Sequence, residues 1–461
     1  MFSLSTTRRH SGTSGKSRRE ILRIGSLAGM VGGSPLTGYA RARAADQSAG
    51  RDEMSGIMLF LVGAPSHIDT LDPKPDAPLE IRGPYKPIAT SVPGIRVTEI
   101  LPQVARQADK FSIIRSVYFQ GAAVHDTGHQ FMQTGRAFTG GIEHPHVGCA
   151  LNHLKPGTEE IPGHVLIPRP IGKTGGNQPH GQSGGYLGRK FDPFVLGTDP
   201  SDPKFKVPDL LPPDYLGDVR VDRRKRLRQV VEDHLKLAET SLAGKQTRES
   251  FDQAFRIMSS PATREAFDLH KEPDSVRDRY GRTRFGQSCL LARRLVERGV
   301  RFVTVNMFET VFDEVTWDIH GSRPFTDINE MARLVAPSFD QGYSALLEDL
   351  AQRGMLSKTV VTALGEFGRT PKINPAGGRD HHPGCWSMLV SGGKIRPGMV
   401  VGASDELGYA PKSRPANPQM VAATLYKALG VNPHTELAGP QGRPMPLVDH
   451  SIEPLNELFG G

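Results

Sequence analysis

Continuous apolar runs, separated by amphipathic stretches, recur along the chain beyond residue 55. The first run, Ile57–Gly63, is apolar at almost every position and stops at Gly and Pro, which is typical of a parallel strand buried on both faces. Further runs predict strands at Phe111–Val117, Val300–Val305 and Thr359–Leu364. Helical periodicity predicts helices at Asp222–Ala243, Gly286–Arg298, Met331–Arg353 and Pro418–Leu429.

The alternation of strands and helices predicts the fold class. It is typical of an α/β protein with a doubly wound, mostly parallel sheet and helices on both faces. We expect one large domain over residues 46–461, although this length would also accommodate two. The stretch from Gly141 to Leu216 is rich in Gly and Pro and has only short apolar runs. It predicts a loop-rich excursion, and structureless stretches of such length are commonly functional.

Residues 1–45 have the composition of an export signal. The pair Arg18-Arg19 precedes a weakly apolar, glycine-rich stretch from Ile24 to Ala40, and small residues follow near position 44. This order predicts a twin-arginine signal, which the twin-arginine translocase reads as an address, and therefore a periplasmic or extracellular protein. The alternative is an uncleaved anchor. The apolar stretch is short and glycine-rich for a span of about 20 residues, so we expect no stable membrane insertion.

Charge outside the signal is almost balanced. Residues 1–45 contain eight Lys/Arg and one acidic residue, which leaves 49 basic and 48 acidic residues in the rest of the chain. A body so close to neutral gives no electrostatic reason to bind nucleic acid. The cysteines Cys149, Cys289 and Cys385 lack any C-x-x-C spacing, so we expect buried free thiols rather than a disulfide framework or a zinc knuckle. A single disulfide in an oxidising compartment is the alternative.

Polar residues collect after the predicted strands, where open parallel sheets bind their ligands. Five clusters are rich in Asp, Glu and His: Ser66–Asp72, His125–His129 with Thr134–Arg136, Trp317–His320, Gly365–Thr370 and Arg379–His382. A single Asp or His at a strand end is usually a helix cap or a loop residue, and a purely structural role for all five is one alternative. Their coincidence at one edge of the sheet favours a shared site.

The side chains in these clusters indicate which ions such a site would take. Mixed carboxylate and imidazole ligands suit zinc, manganese or iron better than calcium, which prefers oxygen alone. Two divalent ions need about six to eight ligands, and the clusters supply that many, so we expect one or two divalent ions, zinc, manganese or similar. Arg369 would hold an anionic substrate through its forked guanidinium, or form a salt bridge with Glu366 or another carboxylate.

Several of the motifs resemble the domain of unknown function 1501 family. They are Gly63–Pro75 (GAPSHIDTLDPKP), Gly365–Pro371 (GEFGRTP) and Gly378–His381 (GRDH), with Tyr280–Arg282 and Trp317–His320 in addition. The resemblance extends from about Ile57 to Leu447. It implies an alkaline phosphatase-like and sulfatase-like α/β fold with a metal-assisted site for phosphate or sulfate esters.

The resemblance also implies roles for individual residues. Asp69 is similar to the metal aspartate that follows the first strand of that superfamily, and Glu366 to the acid that follows a late strand. Asp318 and His320 resemble its Asp/His pair for one metal. Asp380 and His381 resemble its final ligands.

The nucleophile position departs from the superfamily pattern. Sulfatases place a modified cysteine nine residues before the threonine of a Thr-Gly-Arg motif, and here Thr134-Gly135-Arg136 is present but His125 stands at that position. Thr127 would serve as nucleophile if the register of the loop differed. Alternatively, His125 and His129, four residues apart on one helix face, would bind metal themselves, and a metal-activated water would attack the ester directly.

Two functions follow from these observations. The first is an exported metal-dependent hydrolase of a phosphate or sulfate ester, with a small-molecule or glycan substrate, and the density of acidic and His residues favours it. The second is a non-catalytic envelope or glycan-binding protein on a degenerate hydrolase scaffold. The missing nucleophile at position 125 favours the second.

Overall fold

The computed structural model describes residues 54–158, 160–174, 177–207, 256–257, 260–312 and 314–460. The predicted signal at residues 1–45 and the predicted helix Asp222–Ala243 lie outside these ranges. Within them, no helix is both long enough and apolar enough to cross a bilayer.

The described strands and helices alternate over most of the chain. The strands are β1 Ser55–Phe60, β2 Pro87–Ala89, β3 Arg96–Thr98, β4 Phe111–Val117, β5 His164–Ile167, β6 Phe194–Val195, β7 Phe302–Asn306, β8 Thr359–Leu364, β9 Gly368–Arg369, β10 His381–His382, β11 Trp386–Ser391, β12 Val400–Val401, β13 Ala403–Ser404, β14 Pro411–Ser413, β15 Glu436–Ala438 and β16 Pro444–Pro446. The helices are α1 Leu79–Arg82, α2 Pro102–Arg106, α3 His125–Thr134, α4 Val147–Leu154, α5 Pro261–Phe267, α6 Asp274–Tyr280, α7 Arg284–Glu297, α8 Ile328–Glu330, α9 Ala336–Gln352 and α10 Pro418–Ala428.

An eight-stranded sheet organises the described residues, in the order β12-β4-β11-β8-β1-β7-β5-β6. Every neighbouring pair is parallel except the two pairs that β11 makes with β4 and β8. Because β11 is antiparallel to both of these strands, β4 and β8 run in the same direction. The carboxyl ends of β1, β4, β7 and β8 therefore meet at one edge of the sheet.

Side chains alternate between the two faces of β1, and each face packs against helices. Ile57 and Leu59 belong to a core that includes α7 and α9, whereas Met58 and Phe60 belong to a second core with α4 and α10. The uninterrupted apolar run of β1 arises because both faces are covered. The doubly wound, mostly parallel α/β fold with helices on both faces is confirmed. The three cysteines are buried free thiols, also as predicted.

The predicted elements agree closely with the observed ones. The predicted strands Phe111–Val117 and Thr359–Leu364 coincide with β4 and β8 at both ends, and the other two overlap β1 and β7. Gly286–Arg298 and Pro418–Leu429 overlap α7 and α10. The helix predicted from Met331 instead opens with a π-helical turn, Met331–Val335, before α9. Pro337 lacks the N–H that an α-helical ladder would use there.

The stretch Gly141–Leu216, predicted to be rich in loops, contains regular secondary structure in its described residues. Its described residues contain α4 and contribute β5 and β6 to the main sheet. The strand β5 has only four residues and is followed directly by Pro168, so its apolar run is too short to stand out in the sequence. His146 and His164 are buried, and both lie within hydrogen-bond distance of Oγ1 of Thr304.

Candidate metal centre

Loops at the carboxyl edge of the sheet bring most of the predicted site residues together. Helix α3 follows β4, the Trp317–His320 segment follows β7, and Glu366 stands directly after β8. The short hairpin β9–β10 places His381 opposite Arg369. The side chains that meet at this edge are His125, His129, Asp318, His320, Glu366 and His381.

Three of these side chains direct one ligand atom each to a common point. The Nε2 atoms of His320 and His381 are 3.0 Å apart. Oδ1 of Asp318 lies 3.2 Å from the first and 3.5 Å from the second. Zinc ligands at about 2.0–2.1 Å in a tetrahedral arrangement are separated from one another by about 3.3 Å. The triangle therefore has the dimensions of three ligands of one tetrahedral ion.

The other ring nitrogens of the two histidines determine where their protons lie. Nδ1 of His381 is 2.8 Å from the carbonyl oxygen of Ala123, which can only accept, so this nitrogen donates. Nδ1 of His320 donates to Oδ1 of Asp380 at 2.9 Å. In the neutral rings both Nε2 atoms consequently carry lone pairs that face each other. A proton or a metal ion is needed between them, and metal-bound histidines typically have this partner arrangement.

A second group lies beside the first and shares His125. The ligand atoms of His125, His129 and Glu366 lie within 4.8 Å of one another. Nδ1 of His125 is 2.5 Å from Oε1 of Glu366, and its Nε2 is 3.1 Å from Oδ2 of Asp318. Among the described residues, neither ring nitrogen of His129 nor Oε2 of Glu366 has a hydrogen-bond partner, although all three atoms are buried. Buried polar atoms without partners are costly, so these groups also fit a cation.

The electrostatics of the centre favour bound positive charge. Burial alone would raise the pKa of Asp318, but Arg369 and the hydrogen bonds from the histidines hold this pKa well below its ordinary range. Burial likewise opposes ionisation of Glu366, yet His129 and His125 lower its pKa to about 2. Burial lowers the pKa of His129 to about 4, so this ring is neutral at physiological pH. Burial opposes a charge on His125, but its hydrogen bonds to Asp318 and Glu366 raise its pKa, so two buried carboxylates face one guanidinium and this imidazole.

Arg369 is part of the scaffold of the centre. Its side chain is fully buried, and its guanidinium donates to the carbonyl oxygens of Gly63, Ala64 and Arg379. Its Nη2 also lies 2.5 Å from Oδ1 of Asp318. Of the two predicted alternatives for Arg369, this geometry corresponds to the salt bridge with a carboxylate. Its role as an anion clamp stays a prediction.

Asp69 lies outside both groups of candidate ligands among the described residues. Its two carboxylate oxygens accept from Nε and Nη2 of Arg379 at 2.7 and 2.9 Å, and both side chains are fully buried. Arg379 also donates to the carbonyl oxygen of Ile81 at 2.9 Å. The pair ties the first polar cluster to the segment that carries Asp380 and His381. The assignment of Asp69 as a metal ligand stays a prediction.

Thr127 and Asp380 occupy the margins of the centre. Thr127 lies two positions after His125 in α3, and side chains at that spacing do not share a helix face. Its hydroxyl makes no hydrogen bond to the cluster among the described residues. Asp380 is about half exposed and contacts His320 on the side of the ring away from the triangle. Their predicted roles as nucleophile and metal ligand stay predictions.

Two glycines permit the close packing of the centre, and the sequence analysis assigned neither. Gly63 has a φ of +103°, and its N–H donates to Oε1 of Glu366 at 2.9 Å. A Cβ at Gly128 would lie 2.7 Å from the carbonyl oxygen of Glu366, so only glycine lets α3 approach β8 at this point. A glycine directly after an apolar strand was the available signal for Gly63. For Gly128, the available signal was a glycine between two histidines in a segment that could be helical.

Fold and site together define an α/β protein with a buried histidine–carboxylate centre at the carboxyl edge of its sheet. The chain belongs to the family described as Protein of unknown function (DUF1501), whose model matches residues 54–459. The family resemblance of the motifs is thereby confirmed. No curated protein matches the sequence.

Similar solved structures include three with low sequence identity. The lipoteichoic acid synthase LtaP from Listeria monocytogenes is 8% identical, with 86% of this chain and 75% of that chain covered and a TM-score of 0.37. The PsFucS1 sulfatase from Pseudoalteromonas sp. is 12% identical, with coverage of 87% and 72% and a TM-score of 0.35. The phosphonate monoester hydrolase from Silicibacter pomeroyi is 10% identical, with coverage of 88% and 76% and a TM-score of 0.35.

Proposed function

We propose that this protein is an exported metal-dependent hydrolase of a phosphate or sulfate ester. The observation that carries the proposal is the triangle of Asp318, His320 and His381, with ligand atoms 3.0–3.5 Å apart. Each of its imidazoles donates through Nδ1 to a fixed acceptor, which orients an Nε2 lone pair toward the centre. These residues would hold a zinc or manganese ion.

The group of His125, His129 and Glu366 is the candidate position for a second ion. The unpaired nitrogens of His129 and the unpaired Oε2 of Glu366 support this assignment. A divalent ion held by these residues would supply Lewis-acid chemistry, polarising the ester oxygen and lowering the pKa of water. Arg369 holds Asp318 in place, and Asp380 orients the ring of His320.

We infer that water attacks the ester without a covalent intermediate on this chain. His125 stands at the position where sulfatases carry their nucleophile, and both of its nitrogens are engaged by carboxylates. Thr127 points to another face of α3. Thr127 therefore does not share the helix face of His125, and the thiols of Cys149, Cys289 and Cys385 are buried.

Export by the twin-arginine translocase is also a proposal, supported by residues 1–45 and by the near-neutral charge of the rest of the chain. Twin-arginine substrates fold before they cross the membrane, which agrees with a metal inserted in the cytoplasm. Changing Arg18 and Arg19 together to Lys should retain the protein in the cytoplasm. Fractionation of cells that express the two forms measures this, and equal export of both would contradict the proposal.

The hydrolase proposal is tested with a panel of phosphate and sulfate esters, supplied with zinc or manganese. We expect turnover by the wild-type chain and loss of turnover in His381→Ala. The matched control is His382→Ala, because this neighbouring imidazole bonds to the carbonyl oxygen of Tyr409 and not to the triangle. Equal activity of the two variants would contradict the proposed site.

A non-catalytic binding protein is the second candidate, and the engagement of His125 by two carboxylates favours it. It differs from the hydrolase in one measurable respect. Stoichiometric binding of a glycan ester, with no release of phosphate or sulfate in the presence of either metal, would support this second function.

A further inference from the structure

A pocket of about 410 Å³ lies apart from the candidate metal centre and shares no side chain with it. Its walls come from the segment after β4, the C-terminal end of α3 and the start of α10. The lining residues on which the inference depends are Tyr118, Phe119, Phe131, Arg136 and His144. Its size falls within the range of small-molecule sites, about 300–1,000 Å³.

The pocket opens at the same edge of the sheet as the metal centre. The strand β4 ends at Val117, and its carboxyl end lies at the edge that also carries the ends of β1, β7 and β8. The N–H of Phe119 donates to the carbonyl oxygen of Pro383 at 3.0 Å, two residues beyond His381. Residues 118–125 therefore lead directly from the pocket to the centre.

Helix α3 sets the separation of the two sites. His125 lies in its first turn at the metal centre, whereas Phe131 and the C-cap Gly135 lie at the pocket. Ten helical residues span about 15 Å. A single substrate that reaches both sites carries a large group on the ester oxygen.

Three aromatic side chains, Tyr118, Phe119 and Phe131, are among the residues that line the pocket. Phe119 and Phe131 pack together with ring centroids 5.2 Å apart, and Tyr118 is half-buried beside them. The Tyr118 hydroxyl has no hydrogen-bond partner among the described residues. Such a wall offers flat apolar faces together with one free hydroxyl, which suits a ligand that is itself both apolar and polar.

His144 is the polar residue that points to a ligand. It is only 7% exposed, yet neither of its ring nitrogens has a hydrogen-bond partner within the part of the chain that the structure describes. Burial lowers its pKa to about 4, so the ring is neutral and presents one donor and one acceptor. The two nitrogens are not fully enclosed, so the pocket that His144 lines leaves them open to a hydrogen bond from a ligand hydroxyl.

The charges at the pocket are already neutralised. The guanidinium of Arg136 donates to the carbonyl oxygens of Leu447 and Pro446, and its Nη1 lies 2.9 Å from Oδ1 of Asp449. Among the described residues that line the pocket, Arg136 is the only Lys or Arg, so no unpaired guanidinium or ammonium there attracts an anionic group. An uncharged ligand with several hydroxyls matches the aromatic rings, the neutral imidazole and the paired guanidinium.

We propose that this pocket binds a neutral sugar ring, with Tyr118 and Phe131 against the ring faces and His144 hydrogen-bonded to a hydroxyl. The assignment deepens the proposed function and rests on it in one respect. If the metal centre cleaves an ester, the alcohol part of that ester is a neutral carbohydrate, and the sugar in the pocket holds the ester bond at the centre.

Sugar binding is tested on the full chain after treatment with EDTA, so that the result does not depend on catalysis or on metal. Saturation-transfer NMR would be recorded with cellotriose, xylotriose, mannotriose and chitotriose, and with trigalacturonic acid as the anionic comparison. We expect at least one neutral trisaccharide to bind and the anionic one not to bind. Tyr118→Ala should weaken that binding at least tenfold, whereas Tyr409→Ala, an exposed tyrosine outside the pocket, should leave it unchanged.

Thr139→Trp provides a second variant, because residue 139 lies on an exposed loop and the larger side chain would fill the pocket without disturbing the core. It should abolish binding even if Tyr118→Ala fails to fold. Absence of binding by every neutral trisaccharide would overturn the proposal, as would equal binding by wild type and Thr139→Trp. If the wild-type chain binds the sugar but turns over no ester, the proposed function is contradicted and the pocket assignment stands.

Discussion

Replacing Arg379 by Met would leave Asp69 without its partner in a fully buried position. The two side chains are joined by hydrogen bonds of 2.7 and 2.9 Å, and neither is exposed. Removing one member of a buried ion pair costs about 3–5 kcal/mol, because the remaining charge stays uncompensated. We expect Arg379→Met to lower the free energy of unfolding by that amount. Arg323→Met is the control, since the pair of Arg323 with Glu330 is exposed and should contribute less than about 1 kcal/mol.

Urea unfolding of the full chain, with EDTA present to remove any contribution from metal, measures both variants. The double variant Asp69→Leu/Arg379→Met removes both charges and should recover much of the lost stability. A cost for Arg379→Met no larger than that of Arg323→Met would refute the reasoning. Loss of bound metal in Asp69→Asn at unchanged stability would show instead that Asp69 is a ligand, as the sequence predicted.

The remaining predictions concern acid, packing and metal. Burial lowers the pKa of His146 from 6.5 to about 3, so below about pH 6.5 the unfolded chain binds a proton at this residue that the folded chain does not. The free energy of unfolding should therefore fall with pH, by about 2 kcal/mol at pH 5. Urea titrations of wild type and His146→Asn at several pH values measure this difference. Gly128→Ala places a Cβ 2.7 Å from the carbonyl oxygen of Glu366 and should lower the free energy of unfolding by about 1–3 kcal/mol in the same assay. Gly121→Ala is its control, because a Cβ at Gly121 would lie no closer than 3.4 Å to any neighbour. Zinc at 100 times its Kd should raise the free energy of unfolding by about 2.7 kcal/mol relative to EDTA, and an unchanged midpoint would contradict a folded-state site.

The main sheet was predictable because local pattern carries the information. A strand covered on both faces must be apolar at almost every position, and β4 and β8 could therefore be delimited from their own residues. The same physics explains the failure at β5. Four residues bounded by proline produce too short a run to distinguish from a loop, even though all four are buried.

The candidate site was predictable as a location and less so as a set of contacts. Polar residues directly after apolar strands pointed to the carboxyl edge, and Asp318, His320 and His381 do converge there. The partner of a charged side chain cannot be read from its neighbours in sequence. Asp69 and Arg379 are 310 positions apart, and only the folded chain brings them together.

Orientation within an element was a further limit. Thr127 is close to His125 in sequence, but the turn of α3 directs the two side chains to different faces. His146 and His164 have no ligand spacing, and their burial depends on Thr304, which lies on another strand. Both features arise from three-dimensional packing that no local pattern records.

Metal binding by the purified full chain tests the central claim most directly. Equilibrium dialysis against zinc or manganese, followed by elemental analysis, would be applied to wild type, His381→Ala and His382→Ala. We expect wild type and His382→Ala to retain at least one ion per chain. His381→Ala should bind the ion more than about 100-fold more weakly, because loss of a residue that only hydrogen-bonds to a ligand costs no more than about 100-fold in affinity. A wild-type chain that binds neither metal, or equal affinities in the two variants, would contradict a metal centre at Asp318, His320 and His381.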